Sequence, residues 1–203
     1  MNKQDLRIVK TIDIISESFL DCLEKKEFKQ LTVKDITEKA RINRSTFYKY
    51  YMDKYDLLNK FIDNVLKDFH ENLDAEFIDL PCSDLITHRH QIEKTIAFFL
   101  SQKRVYVILW NADINRNVFD EMLRIGENKI FDKIENNAGI NVKSQDYSKL
   151  YSKLFLATMM ASMRWWFELK NSISAEHLSE IMIQNMTKGI FNTFKSDLIS
   201  DKS

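Results

Sequence analysis

Residues 32–58 read TVKDITEKARINRSTFYKYYMDKYDLL, and three helix starts lie within them. Thr32 can cap a first helix, with Asp35 three residues on, a capping box in which Asp replaces the usual Glu or Gln. Val33, Ile36 and Ala40 form that helix's inward face, because residues three and four apart share a side. Arg41 and Ile42 make a turn. Asn43 caps a second helix from Arg44 to Tyr51, and Asp53, followed by Asp56, caps a third. Two short helices joined by a tight turn, the second rich in cations, hydroxyls and aromatics, are what a helix-turn-helix needs.

The side chains suit that motif's tasks. Arg44 carries a planar fork able to hold a guanine edge through two hydrogen bonds, and Ser45 and Thr46 can meet bases or a thymine methyl. Tyr48, Tyr50 and Lys54 suit phosphate oxygens, which fix register without reading sequence. The helix start at Thr32 leaves amides that can hold a phosphate. Phe47 and Tyr51 are expected to pack inward against Ile15, Phe19 and Ile36, and Tyr48 is placed to do either. A short basic helix is also what an ordinary solvated surface looks like. Both readings stay open on these residues, and the charge distribution adds one observation: the whole chain is neutral, yet residues 39–54 hold Lys39, Arg41, Arg44, Lys49 and Lys54 against Asp53 alone. A local basic cluster on a neutral protein points to a local polyanion contact.

Outward from this stretch the chain reads as helix throughout. Only 3 Gly and 1 Pro occur among 203 residues, too few for the turns of a sandwich or barrel. Hydrophobic residues at 44% supply a sizeable core. Ile8, Ile12, Ile15, Phe19 and Leu23 mark one helix over 6–23, and Tyr55, Leu58, Ile62, Val65 and Phe69 mark a long one to about Phe77. Asp79 to Asp84, with the sole proline, is the linker candidate. Further helices are expected near 85–102, 104–114, 117–137, 146–170 and 175–198, with Asn136-Asn137-Ala138-Gly139 as a stop and Asn171 as a left-handed cap.

The stretch 32–58 resembles the DNA-binding domain of the TetR family of regulators. The matching residues are Thr32, Val33, Ile36, Ala40, Ile42, Thr46, Tyr48, Tyr50, Tyr51, Lys54, Leu57 and Leu58. The resemblance covers about the first 60 residues, and departs at Arg41, where the family usually has Gly. It implies an all-α fold: a three-helix helix-turn-helix DNA-binding domain over 1–54, then a helical effector-binding and dimerisation domain over 55–203, entered by a connecting helix over about 55–77. Carried over by position, it gives Thr32, Lys34, Arg44, Ser45, Thr46, Tyr48, Lys49, Tyr50 and Lys54 as DNA contacts. The last two long helices resemble the family's dimerisation pair. Phe155, Met159, Trp166, Ile181, Met182, Met186 and Ile190 are then the expected interface. A pocket for a small apolar or amphipathic effector is expected among Phe98, Phe99, Tyr106, Trp110, Phe119, Met122, Met159 and Met163. The same stripe is equally what a plain core looks like.

Other classes find little support. Cys22 and Cys82 are too few and too far apart for a disulfide framework or a structural zinc site. His88 and His90, two apart, do not share a helix face and read as solvated residues near a loop, so neither metal nor cofactor is expected. No Gly-rich phosphate loop, Gly-x-Ser-x-Gly elbow or His-Glu-x-x-His occurs, and no catalytic residue is assigned. No run of about 18 apolar residues exists, and the polar N-terminus is unlike a signal peptide, so a cytoplasmic location is expected. The expected partners are a palindromic DNA operator, a second copy of the chain and the effector. The leading function is a ligand-responsive repressor; the alternative is an activator or coactivator working through a partner protein.

Overall fold

A computed structural model describes residues 3–79, 85–137, 144–169 and 173–190. Nine α-helices and no strand occur among them: α1 Lys3–Leu23, α2 Val33–Ala40, α3 Arg44–Phe47, α4 Lys54–Asn72, α5 Leu85–Ser101, α6 Lys103–Asn111, α7 Val118–Glu135, α8 Gln145–Glu168 and α9 Ala175–Asn185. The fold is all-α, as the sparse Gly and Pro dictate.

Three helices differ from the sequence reading. α3 ends at Phe47 instead of Tyr51, because the backbone tightens: Lys49 N–H reaches the Thr46 carbonyl and Tyr50 N–H the Phe47 carbonyl, each three residues back. The tyrosines that follow are indifferent helix formers. α4 stops at Asn72, and Asp74 Oδ1 then accepts the Glu76 amide at 2.8 Å to start a short 3-10 turn, Glu76–Asp79. α9 gives way at Met186 to a π-helical turn through Ile190. The expected linker beyond Asp79, the Ala138-Gly139 stop, Cys82, the Asn171 cap and the side chain of Ile190 lie outside the described residues.

Contacts divide the chain into two compact units, drawn differently from a cut after residue 54. Unit 1 is Met1–Lys67 together with Arg104–Phe119; unit 2 is Asp68–Lys103 and Asp120–Ser203. In unit 1, α1 packs on α2 and α2 on α3. Its core is Ile15, Phe19, Leu31, Ile36, Phe47, Leu57 and Ile62, all at most 1% exposed, with Phe19 meeting Phe28 and Phe61 edge to face. α6 belongs to this unit through charge. The Arg104 guanidinium meets Glu24 at 2.9 Å, Glu17 at 3.3 Å and Asp21, two carboxylates of α1 and one just past its end. Asp21 also receives Lys39 at 2.9 Å; those two cations, Lys39 foremost, hold its carboxyl below the ordinary range. Lys29 with Asp113 (2.6 Å) and Arg116 with Asp63 (2.8 Å) fasten the rest of the 104–119 segment.

In unit 2, α5 packs on α9, around Phe99, Met122, Ile134, Leu156, Met160 and Met163, each fully buried. Gly126 allows a close approach of α7: a Cβ there would stand 2.6 Å from Leu156 Cδ2 and 3.0 Å from Leu73 Cδ2. Ser144 and Ser174 cap α8 and α9 through their hydroxyls.

Candidate nucleic-acid interface

The first bracing turn forms as its residues dictate. Thr32 Oγ1 accepts the Asp35 amide at 3.2 Å, and Asp35 Oδ2 accepts the Thr32 amide at 2.8 Å, closing the capping box. The Thr32 hydroxyl also donates to Asp35, and Lys26 joins it at 3.0 Å, a partner the sequence reading missed because it sits nine residues upstream. Those bonds, Thr32 first and Lys26 next, lower the Asp35 pKa from 3.8 to about 2. A carboxylate depressed in the folded state stabilises above its unfolded pKa, and that contribution fades as pH falls through the folded value. With the Asp35 side chain 34% exposed, screening leaves about 1 kcal/mol. Asp35→Asn should therefore lower the urea midpoint at pH 6, and the gap to the parent should close between pH 4 and pH 2.

The turn after α2 is built on Arg41. Arg41 sits at φ 54°, ψ 42°, left-handed, and is the non-glycine residue with positive φ among those described. Its N–H bonds the Glu38 and Thr37 carbonyls, closing the helix end. The Cβ makes this conformation costly, so Arg41→Gly should raise stability by up to about 1 kcal/mol, net of the entropy glycine adds to the unfolded chain. Urea denaturation of the two proteins checks it.

α3 follows at once. Asn43 stands at the cap position with extended backbone but makes no side-chain cap bond, contrary to its expected role. Phe47 is 0% exposed and Tyr51 6%, so both pack inward as expected, with ring centroids 5.5 Å apart. That anchoring leaves Arg44, Ser45, Tyr48 and Lys49 exposed, with Thr46 and Tyr50 half-buried. Thr32, Lys34 and Arg41 are exposed on the bracing side. Asp53 Oδ1 accepts the Tyr55 and Asp56 amides at 2.8 Å, which starts α4 as expected.

Lys54 is committed elsewhere. Its ammonium donates to the carbonyls of Leu31 (2.8 Å), Phe28 (2.9 Å) and Lys29 (3.1 Å), and lies 4.9 Å from the Phe28 ring centre. An ammonium has three protons, and all three are used inside unit 1. Lys54 therefore clamps α4 to the turn before α2, and is not placed as a phosphate contact.

Unit 2 holds a small cavity of about 30 Å³ between Leu73, Phe77, Ile92, Phe155, Met159 and Met182, among others. Of the expected effector residues, only Met159 lines it. Tyr106, Trp110 and Phe119 form an aromatic stack within unit 1, Tyr106 on Trp110 at 5.4 Å and Trp110 edge-on to Phe119 at 5.3 Å. Met122 and Met163 are fully buried, and Phe98 is half-buried beside Phe99. The expected interface residues Phe155, Met182 and Met186 are at most 7% exposed within the single chain. Trp166 donates its indole N–H to the Ile173 carbonyl at 3.0 Å. What α8 turns outward is a different stripe, Tyr147, Leu150, Leu154, Ala157, Ala161 and Trp165; on α9 Ile181 is exposed. His88 is 2% exposed, not solvated as expected, whereas His90 is exposed. Among the described residues no three His, Cys, Asp or Glu side chains converge as a metal site, and no helix is long and apolar enough to cross a membrane.

Residues 20–61 match the family described as bacterial regulatory proteins, tetR family. YxbF of Bacillus subtilis (strain 168), an uncharacterised HTH-type transcriptional regulator, is 37% identical over 70 residues, 34% of this chain and 18% of that protein. DhaS of Lactococcus lactis subsp. lactis (strain IL1403), the HTH-type transcriptional activator of the dhaKLM operon, is 28% identical over 119 residues, 55% of this chain and 62% of that one. The matched stretches thus span less than two thirds of either relative. The solved structure of the dihydroxyacetone kinase operon activator DhaS covers 93% of this chain and is itself 98% covered, with TM-score 0.61 and 19% identity. A TetR transcriptional regulator from Streptococcus agalactiae 2603V covers 89%, is 96% covered, and gives TM-score 0.58 at 18% identity. At such identities the structural likeness speaks for the fold.

Proposed function

We propose, for a chain whose reading head is that of the TetR family of bacterial regulatory proteins and whose fold is shared by its members, that it is a ligand-responsive repressor gripping a palindromic operator as a homodimer. DNA-binding regulation, the sign of regulation, the operator symmetry and the dimer all belong to this reading, which the match of residues 20–61 to the tetR family model supports. The observation that carries the reading is the exposed row Arg44, Ser45, Tyr48 and Lys49, held out by the buried anchor Phe47. Arg44 and Ser45 read base edges, while Lys34, Lys49 and the amides at Thr32 hold phosphates. Thr46 and Tyr50, half-buried at the same turn, complete the contact set. In this reading residues 1–54 do the reading, and residues 55–203 dimerise and answer the effector. The two heads enter successive major grooves roughly 34–36 Å apart. The dimer face is the outward stripe of α8 with Ile181 of α9. A second reading, an activator, is favoured by one observation: the relative DhaS is named an activator.

Arg44→Ala tests the central contact. It should cost about 1–3 kcal/mol of operator affinity and relax preference at one base pair per half-site. Binding curves on the region upstream of the gene, and on base-substituted variants, measure both. Equal loss on every sequence would put Arg44 on phosphate and move specificity to Ser45 and Thr46.

A further inference from the structure

The small cavity of unit 2 does not stand alone. It shares Leu73, Asp74 and Gln91 with an open groove of about 870 Å³ on the same unit. The two spaces are opposite in character. The cavity is walled by Phe77, Phe155, Met159, Met182 and Met186, whereas the groove carries Glu71, Asp74, Glu76 and Asp132 against Lys94, Lys129 and Lys133.

The shared wall presents acceptors. Gln91 Oε1 is buried with no hydrogen-bond partner, a position that costs free energy until a donor arrives. The Asp74 side chain is 16% exposed, and its Oδ2 has Lys94 at 4.0 Å, the edge of ion-pair range, with Lys94 itself 70% exposed. The groove's other cations are spent: Lys129 donates to the His70 carbonyl, and Lys133 is paired with Asp79 at 2.5 Å. A ligand donor would find Gln91 Oε1 unmet and Asp74 Oδ2 held only by its long contact to Lys94.

The cavity is at present the size of one water, so an apolar body enters only if its wall repacks. Unbranched methionines are the side chains that can do so. Met186, one of the three, stands where α9 changes to a π-helical turn, a backbone irregularity that recurs at functional sites.

We propose that this junction is the effector site, and that it takes an amphipathic molecule with a hydrogen-bond-donating cationic head, such as a primary ammonium, on an alkyl or aryl body. The head sits between Asp74 and Gln91, and the body displaces the methionine wall. The proposal rests on the regulator reading only for its consequence on DNA; binding itself is independent of it.

The test uses the full chain without DNA. Octylamine, octanol and octanoate are titrated by calorimetry at pH 7 and by thermal shift, since a ligand of the native state raises the melting temperature. Octylamine should bind about tenfold or more tightly than octanoate, and Asp74→Asn and Gln91→Leu should each weaken it about tenfold. Circular dichroism melts confirm that the variants fold, and Gln91→Met serves as a second variant of the same shape. Octanoate binding as well as octylamine, no binding by any of the three, or octylamine binding unchanged in Asp74→Asn would each overturn the proposal. Adding octylamine to the protein–DNA complex then separates the two readings. Binding without release of DNA would leave the site standing and remove the ligand response.

Discussion

Lys54→Met is expected to destabilise the protein by about 2 kcal/mol while leaving the salt dependence of DNA binding unchanged. The three carbonyls the ammonium serves, Phe28, Lys29 and Leu31, lie on and just after the 3-10 turn Phe28–Gln30, where that of Phe28 also accepts the Leu31 amide. A hydrogen bond to a charged group is worth about 1.5–3 kcal/mol, and the partly wet setting of these three trims their combined worth. Methionine keeps the packing on Phe28 and Tyr55 and removes only the protons and the charge. Urea denaturation reads the stability. Binding at several salt concentrations reads the other half, because each lost phosphate contact flattens the slope by about 0.9. A flatter slope with unchanged stability would return Lys54 to the phosphate. Lys49→Ala is the internal standard, for its exposed ammonium should give the flattening that Lys54→Met does not.

The second large effect concerns association. Leu154→Glu with Trp165→Glu should turn the proposed dimer into a species of 24.2 kDa and weaken operator binding about a hundredfold or more, as two linked half-sites become independent. Leu154 is 39% exposed and Trp165 48%, so the charges should be tolerated by the single chain. Phe155→Glu gives the contrast: at 2% exposure it buries a charge and should unfold unit 2. Sedimentation distinguishes the outcomes. A double variant that remains dimeric would place the interface on another face.

These two cases show where the sequence is readable. Helix starts are local, so Thr32–Asp35 and Asp53 could be recognised from residues two or three apart, and the caps form as read. The partners of Lys54 lie 23 to 26 residues back, beyond the reach of any periodic pattern, and a lysine at a helix start looks the same whether its protons meet phosphate or carbonyl. On α8 the difficulty is redundancy. Phe155, Met159 and Met163 make one apolar stripe and Leu150, Leu154 and Trp165 another, and nothing local says which is covered by its own chain. The expected effector residues include the aromatic stretch around Tyr106 and Trp110. In the fold these stack within unit 1, away from the cavity of unit 2. Gln91 and Phe77, which line the cavity, carry no pattern that marks them.

The most direct measurement is titration of the full chain onto a duplex carrying the region upstream of its own gene, against an unrelated duplex of equal length, over a range of salt. The account predicts two chains per site, a preference for the upstream sequence of about a thousandfold, and a log–log salt slope of about −4 or steeper from the exposed cations of two heads. Equal affinity for both duplexes, with a slope near zero, would contradict it.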